Sequence, residues 1–124
     1  MQQATQAYAR TSQVVSSPRE IEAAVLLKAA TRLQAIQDDW QGRQTDLGEA
    51  LQFNRKLWTI LVSSVTDPSN PVPSDIRQSI VDLGTFTFNR TIAALADPEA
   101  GKLGALVNIN RELAAGLRGS AQAA

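Results

Sequence analysis

The stretch Leu47-Gly48-Glu49-Ala50-Leu51-Gln52-Phe53-Asn54-Arg55-Lys56-Leu57-Trp58-Thr59-Ile60-Leu61-Val62-Ser63-Ser64-Val65 decides how this chain is read. Leu47, Leu51, Asn54, Trp58, Leu61 and Val65 recur at spacings of three and four, the period of one face of an α-helix. Asp46 and Glu49 have the spacing of a capping box, so the helix is predicted to open there and to run to about Val65. A second line, Phe53, Leu57 and Ile60, lies beside the first. Together the two lines cover roughly 200° of the helical wheel, well beyond the narrower stripe usual for a surface helix. Such a helix is either central or presents a second face outward. In the second case Phe53, Leu57 and Ile60 form a docking surface for a partner's amphipathic helix.

Asn54 is the anomaly in this stretch, an amide in the middle of an apolar stripe. Burying an unpaired amide costs on the order of 1 to 3 kcal/mol, so its placement needs a reason. The dipeptide Asn-Arg follows an apolar residue three times, as Phe53-Asn54-Arg55, Phe88-Asn89-Arg90 and Ile109-Asn110-Arg111. Asn110 is also mid-stripe, between Leu106 and Leu113, whereas Asn89 falls at the edge of its apolar arc. Asn54 and Asn110 are therefore expected as a structural polar pair that fixes helix register, satisfied by each other, by a backbone carbonyl or by buried water. The competing reading has one of the amides receive a partner's backbone. Arg55 and Arg111 stand one step around their helices, at the bundle margin, where guanidinium groups find carboxylates. Glu22 is one candidate carboxylate.

The flanking segments read as helices too. Ser17-Pro18-Arg19-Glu20 is a capping box with Pro at the first helical position, opening a helix over 18–40. Its apolar line is Ile21, Val25, Ala29, Leu33, Ile36 and Trp40, widened by Leu26. Three prolines in Thr66-Asp67-Pro68-Ser69-Asn70-Pro71-Val72-Pro73 rule out helix and predict a stiff strap between helices, or less readily a recognition segment in polyproline geometry. Ser74 caps a helix over 74–96, with Ile76, Ile80 and Leu83 on one line and Phe88, Ile92 and Leu95 on a displaced one. Asp97-Pro98-Glu99 reads as another cap, followed by a stripe of Leu103, Leu106, Val107, Leu113, Ala114 and Leu117 that ends at Gly116 and Gly119. A weaker helix is predicted over 3–14, with Ala4, Tyr8, Thr11 and Val15 on one side, and it needs docking to persist. No segment alternates as a strand does.

The predicted fold is all-α, a mostly antiparallel bundle of four long helices plus a short N-terminal helix. Residues 1–16 form that helix and a linker, 17–119 the bundle, and 120–124 a disordered tail. Leu33, Trp40, Leu51, Trp58, Leu61, Leu106 and Leu113 are the expected core.

Composition narrows the function. The chain has 124 residues, enough for one domain that buries roughly 65% of its unfolded surface. It has no Cys and no His, which removes the thiolate nucleophile, the commonest general base and the commonest transition-metal ligand. Asp38 and Asp39 do not converge on a metal, because adjacent helical residues point about 100° apart. No phosphate loop or nucleophile motif occurs, so neither enzyme nor cofactor is expected. Twelve basic and twelve acidic residues cancel, which disfavours direct binding of nucleic acid, although a local basic patch remains open. No stretch is long and apolar enough to span a bilayer, and the N-terminus is not a secretory signal, so a cytoplasmic location is expected.

Several blocks resemble the flagellar biosynthesis regulator FlaF family of alphaproteobacteria. In order they are Ala7-Tyr8, Ser17-Pro18-Arg19-Glu20 with Glu22, Asn54-Arg55-Lys56-Leu57-Trp58-Thr59, Asn70-Pro71-Val72-Pro73, Leu83-Gly84, and Ile109-Asn110-Arg111 with Gly116-Leu117. The resemblance spans nearly the whole chain. It implies a small cytoplasmic helper that binds flagellin as a chaperone, promotes its synthesis and secretion, and works with the translational regulator FlbT. The family pattern has an acidic residue after the Trp block where this chain has Ser63-Ser64, and no functional role is carried onto those two positions. The partner-binding residues expected here are Phe53, Arg55, Leu57, Ile60 and Arg111. A post-transcriptional regulator of flagellin mRNA and a purely structural adaptor are the alternatives, and the oligomeric state is left open.

Overall fold

The computed structural model describes residues 18–123, with side chains over 19–119. The helix expected over 3–14 and the cap residue Ser17 lie outside the described residues. Among those described, all regular structure is helical. The order is α1 (Pro18–Asp38), α2 (Trp40–Arg43), a 3-10 turn (Gln44–Asp46), α3 (Leu47–Thr66), α4 (Ser74–Ala96), a second 3-10 turn (Ala100–Lys102) and α5 (Gly104–Ala123). Four long helices joined by short connections form the bundle.

α1 packs most extensively on α5, α3 rests on both α1 and α4, and α4 scarcely touches α5. Alanines explain the first contact. Ala23, Ala29 and Ala30 are buried on α1 with Leu26, Leu33 and Ile36, so the backbone of α5 comes close. This face is rotated from the expected line, and Ile21 is left 46% exposed. The helix also stops earlier than the periodicity suggests, because Asp39 leaves helical geometry at φ −127° and ψ 57°. Trp40 consequently starts the short α2 and is half-buried against the core rather than inside it.

The core falls into two clusters. Leu26, Leu57, Trp58, Leu61, Ile80, Leu113 and Leu117 belong to the first, and Leu33, Leu51, Leu103, Leu106 and Val107 to the second. Asn54 on α3 and Asn110 on α5 fall between the two.

Helix ends depart from the sequence reading. Asp46 sits in helical geometry at φ −85° and ψ −9°, and its carboxylate makes no cap hydrogen bond, because the 3-10 turn already leads the backbone into α3. Ser74 opens α4, with Pro73 in the cap position. After Asp97 the chain forms the second 3-10 turn instead of entering a helix, and Lys102 folds back onto the end of α4. Its Nζ donates to the Asp97 carbonyl at 2.6 Å and to the Asp97 carboxylate at 3.2 Å, placing a cation at a helix C-terminus. α5 runs through Gly116 and Gly119 to Ala123, into the stretch expected as a tail. No described glycine has positive φ, so neither acts as a left-handed stop.

The proline strap is pinned at both ends. The Asn70 side-chain amide donates to the Ser64 carbonyl at 3.0 Å, its oxygen accepts from the Val72 N–H at 2.9 Å, and Val72 is buried.

Candidate protein-docking groove

α3 has two working faces, and the inner one is polar at its centre. Asn54 and Asn110 are both fully buried. The Asn110 side-chain amide donates to Asn54 Oδ1 at 2.7 Å and to the Leu26 carbonyl of α1 at 3.3 Å. Asn110 Oδ1 in turn accepts from Trp58 Nε1 at 2.9 Å. One residue thus ties three helices together. Neither amide is reachable from solvent, which removes the reading in which a partner's backbone binds there. Asn54 Nδ2 has no hydrogen-bond partner among the described residues.

The outer face meets α4 across a groove, and α4 is the reason it stays open. α4 buries Ile80, Gly84, Thr87, Thr91 and Ala94, a stripe at spacings of four and three made mostly of small residues. Such residues permit close approach. A Cβ built on Gly84 would lie 2.5 Å from Val62 Cγ2, so any larger residue there requires the Val62 side chain to shift. Thr91, buried, directs its hydroxyl to the Thr87 carbonyl at 2.7 Å, within its own helix. The larger apolar side chains of α4 are thereby turned aside. Ile92 is 65% exposed and Leu95 52%, and Ile60 of α3, which lines the same groove as Ile92, is 67% exposed. The groove encloses about 650 Å³ between Arg55, Lys56, Thr59 and Ile60 on α3 and Phe88 and Ile92 on α4. It continues toward the start of α3 past Gln52, Thr91 and Leu95, with Arg55 shared between both parts.

Residues 4–117 match the family model described as flagellar protein FlaF. The chain belongs to the FlaF family. The matched region takes in every residue of the Asn110 network and of the groove. No curated protein and no solved structure matches this FlaF-family chain. Membership makes it a flagellar protein. No helix among its described residues is long and apolar enough to cross a membrane.

The five expected partner-binding residues of this FlaF-family chain do not share one surface. Leu57 is buried in the first core cluster, a correction to the proposed outer face. The buried arc of α3 is wide because it serves α1 and α4 at once. Phe53 is half-buried against the same cluster, its ring covered by the Arg32 guanidinium at 5.1 Å and the Lys28 ammonium at 5.9 Å. Ile60 alone of that line faces out freely. Arg55 is exposed on the groove's lip, and Arg111 is exposed on α5. Neither forms an ion pair with a described carboxylate, contrary to the expected marginal pairing; Arg118 instead pairs with Glu20 at 3.4 Å.

Glu22 lies across α3 from the groove, in a cleft that Arg19, Thr59, Ile60 and Val72 also line. Burial pushes its carboxyl above the usual range against the lowering pull of Arg19. At the other end of this cleft the Ser69 N–H and hydroxyl hold the Asp67 carboxyl below it.

The sequence reading missed Ile92 and Leu95 as surface residues and Gly84 as the reason. The signal was available, since Ile80, Gly84, Thr87, Thr91 and Ala94 have the same spacing as the larger residues beside them. A search for apolar bulk passes over a stripe of glycine, threonine and alanine.

Proposed function

We propose that this protein binds flagellin and acts as its cytoplasmic chaperone, promoting flagellin synthesis and secretion, with the α3–α4 groove as the docking surface. The observation that carries the reading is the alignment of Ile60, Phe88, Ile92 and Leu95 along one groove in a chain of a flagellar family. Large aliphatic residues more than half exposed are what a helix-in-groove partner covers. Trp58 is buried and Trp40 half-buried, so neither offers a free stacking face for single-stranded RNA, and nothing in the groove favours the messenger-binding reading. FlbT is a second partner consistent with the family. Mixing the purified protein with monomeric flagellin at tens of micromolar is expected to give a discrete soluble complex in size-exclusion chromatography. Independent elution of the two would remove the reading. A stable homodimer that dissociates on Ile92→Asp, with no flagellin complex, would favour the adaptor instead.

A further inference from the structure

The groove is apolar along its floor and cationic along its α3 side. Arg55 and Lys56 line the half that holds Ile60 and Ile92, and no carboxylate lines that half. One helix away, Lys28 and Arg32 of α1 stand over Phe53, and Arg32, Phe53 and Lys56 line one hollow. None of these four cations forms an ion pair with a described carboxylate. Glu49, near the start of α3, is the acidic residue nearest this belt in the lining of the adjoining hollows. In a chain whose charges cancel overall, such a local excess marks a preference of one surface.

We propose that the groove selects an amphipathic helix that carries carboxylates beside its apolar stripe. The inference rests on reading the groove as a docking surface, and it names the chemistry of the occupant. Apolar residues at spacings of three and four cover Ile60, Phe88, Ile92 and Leu95, while acidic residues on the adjoining edge meet Arg55 and Lys56. From Gly48 to Ile60 the α3 wall measures about 18 Å at the usual helical rise, so the occupant contributes about three turns. A polyanionic RNA strand answers the charge but not the floor, which is aliphatic apart from the half-buried Phe88. The exposed face of Phe53 is already taken by Arg32 and Lys28.

The test uses three 14-residue peptides, stapled so that helicity does not depend on binding. They share one leucine stripe and differ only in its flank, which is acidic, neutral or basic. Fluorescence anisotropy with the full chain is expected to rank them acidic, neutral, basic, with steps of roughly tenfold at low ionic strength that shrink toward parity in 1 M salt. The exposed double change Arg55→Glu with Lys56→Glu, shown by thermal melting to be folded, is expected to invert the order. Equal affinity for the three peptides, no binding of any, or tighter binding of a 20-nucleotide single-stranded RNA would overturn the proposal. The flagellin reading separates from it cleanly. Flagellin that binds the wild type and the double variant equally defeats the charge inference alone, whereas preference for the acidic peptide without flagellin binding defeats the flagellin reading alone.

Discussion

The interior between α1, α3 and α5 and the seam between α3 and α4 hold the bundle together by opposite means. In the interior, large side chains enclose a hydrogen-bonded amide whose partners lie on the other two helices. At the seam, glycine, alanine and threonine bring two backbones close and leave the larger residues outside. The first arrangement fixes register and seals the core, since a shifted alignment gives up the three hydrogen bonds of the Asn110 side chain. The second arrangement gives up apolar burial, and the side chains it leaves out are those available to a partner. α3 takes part in both, which is why apolar residues cover so much of its circumference.

The largest expected effect breaks the interior. Asn110→Ala removes the acceptor of Trp58 Nε1 and the donor to Asn54 and to Leu26, and is expected to cost about 3 to 4 kcal/mol in urea denaturation. Asn54→Ala removes one of those bonds together with an Nδ2 donor that lacks an acceptor, so its cost is expected to be smaller by about 1 to 2 kcal/mol. Equal losses would mean that the network is not centred on Asn110.

The seam is tested by two glycines of the neighbouring helices. Gly84→Ala drives a methyl into Val62 and is expected to destabilise by about 1 to 3 kcal/mol. Gly48→Ala meets nothing within 4 Å and is expected to stabilise by roughly 0.5 to 1 kcal/mol through helix propensity. Thermal melts that move the same way for both changes would show that close approach does not define the seam.

Much of this contrast is legible in the sequence, though unequally. The mid-stripe placement of Asn54 and Asn110 follows from helical period, because their neighbours Leu51, Trp58, Leu106 and Leu113 are large and unambiguous. The partners of Asn110 are not legible, since they depend on which helices adjoin. Leu57 shows a second limit. A helix with two neighbours has a wide buried arc, and periodicity does not say where burial ends and surface begins. α4 shows a third, because small residues pack by letting backbones approach and leave no trace in a pattern of bulk. The helix ends were misread where 3-10 turns replaced side-chain caps at Asp46 and after Asp97.

The smallest expected effect concerns Glu22. Its folded-state carboxyl titrates above the ordinary value of 4.5, so the folded chain holds that proton more firmly than the unfolded chain does. Its contribution to stability is therefore most favourable in acid and declines as pH rises through the interval between the ordinary and the raised value. Glu22→Gln is expected to raise Tm by on the order of 1 °C at pH 7 and to leave it unchanged near pH 3.5. A larger gain in acid than at neutrality would contradict the assignment of burial as the dominant cause.

The central claim is that the outer face of α3 and the displaced side of α4 bind flagellin without being needed for the fold. Isothermal titration of monomeric flagellin into the wild type and into the Ile60→Asp, Ile92→Asp double variant, with urea denaturation of both, tests it most directly. Stability within about 0.5 kcal/mol of wild type is expected, because both side chains are largely solvated, together with at least a tenfold loss of flagellin affinity. A variant that folds as well as the wild type and binds flagellin as tightly would contradict the claim.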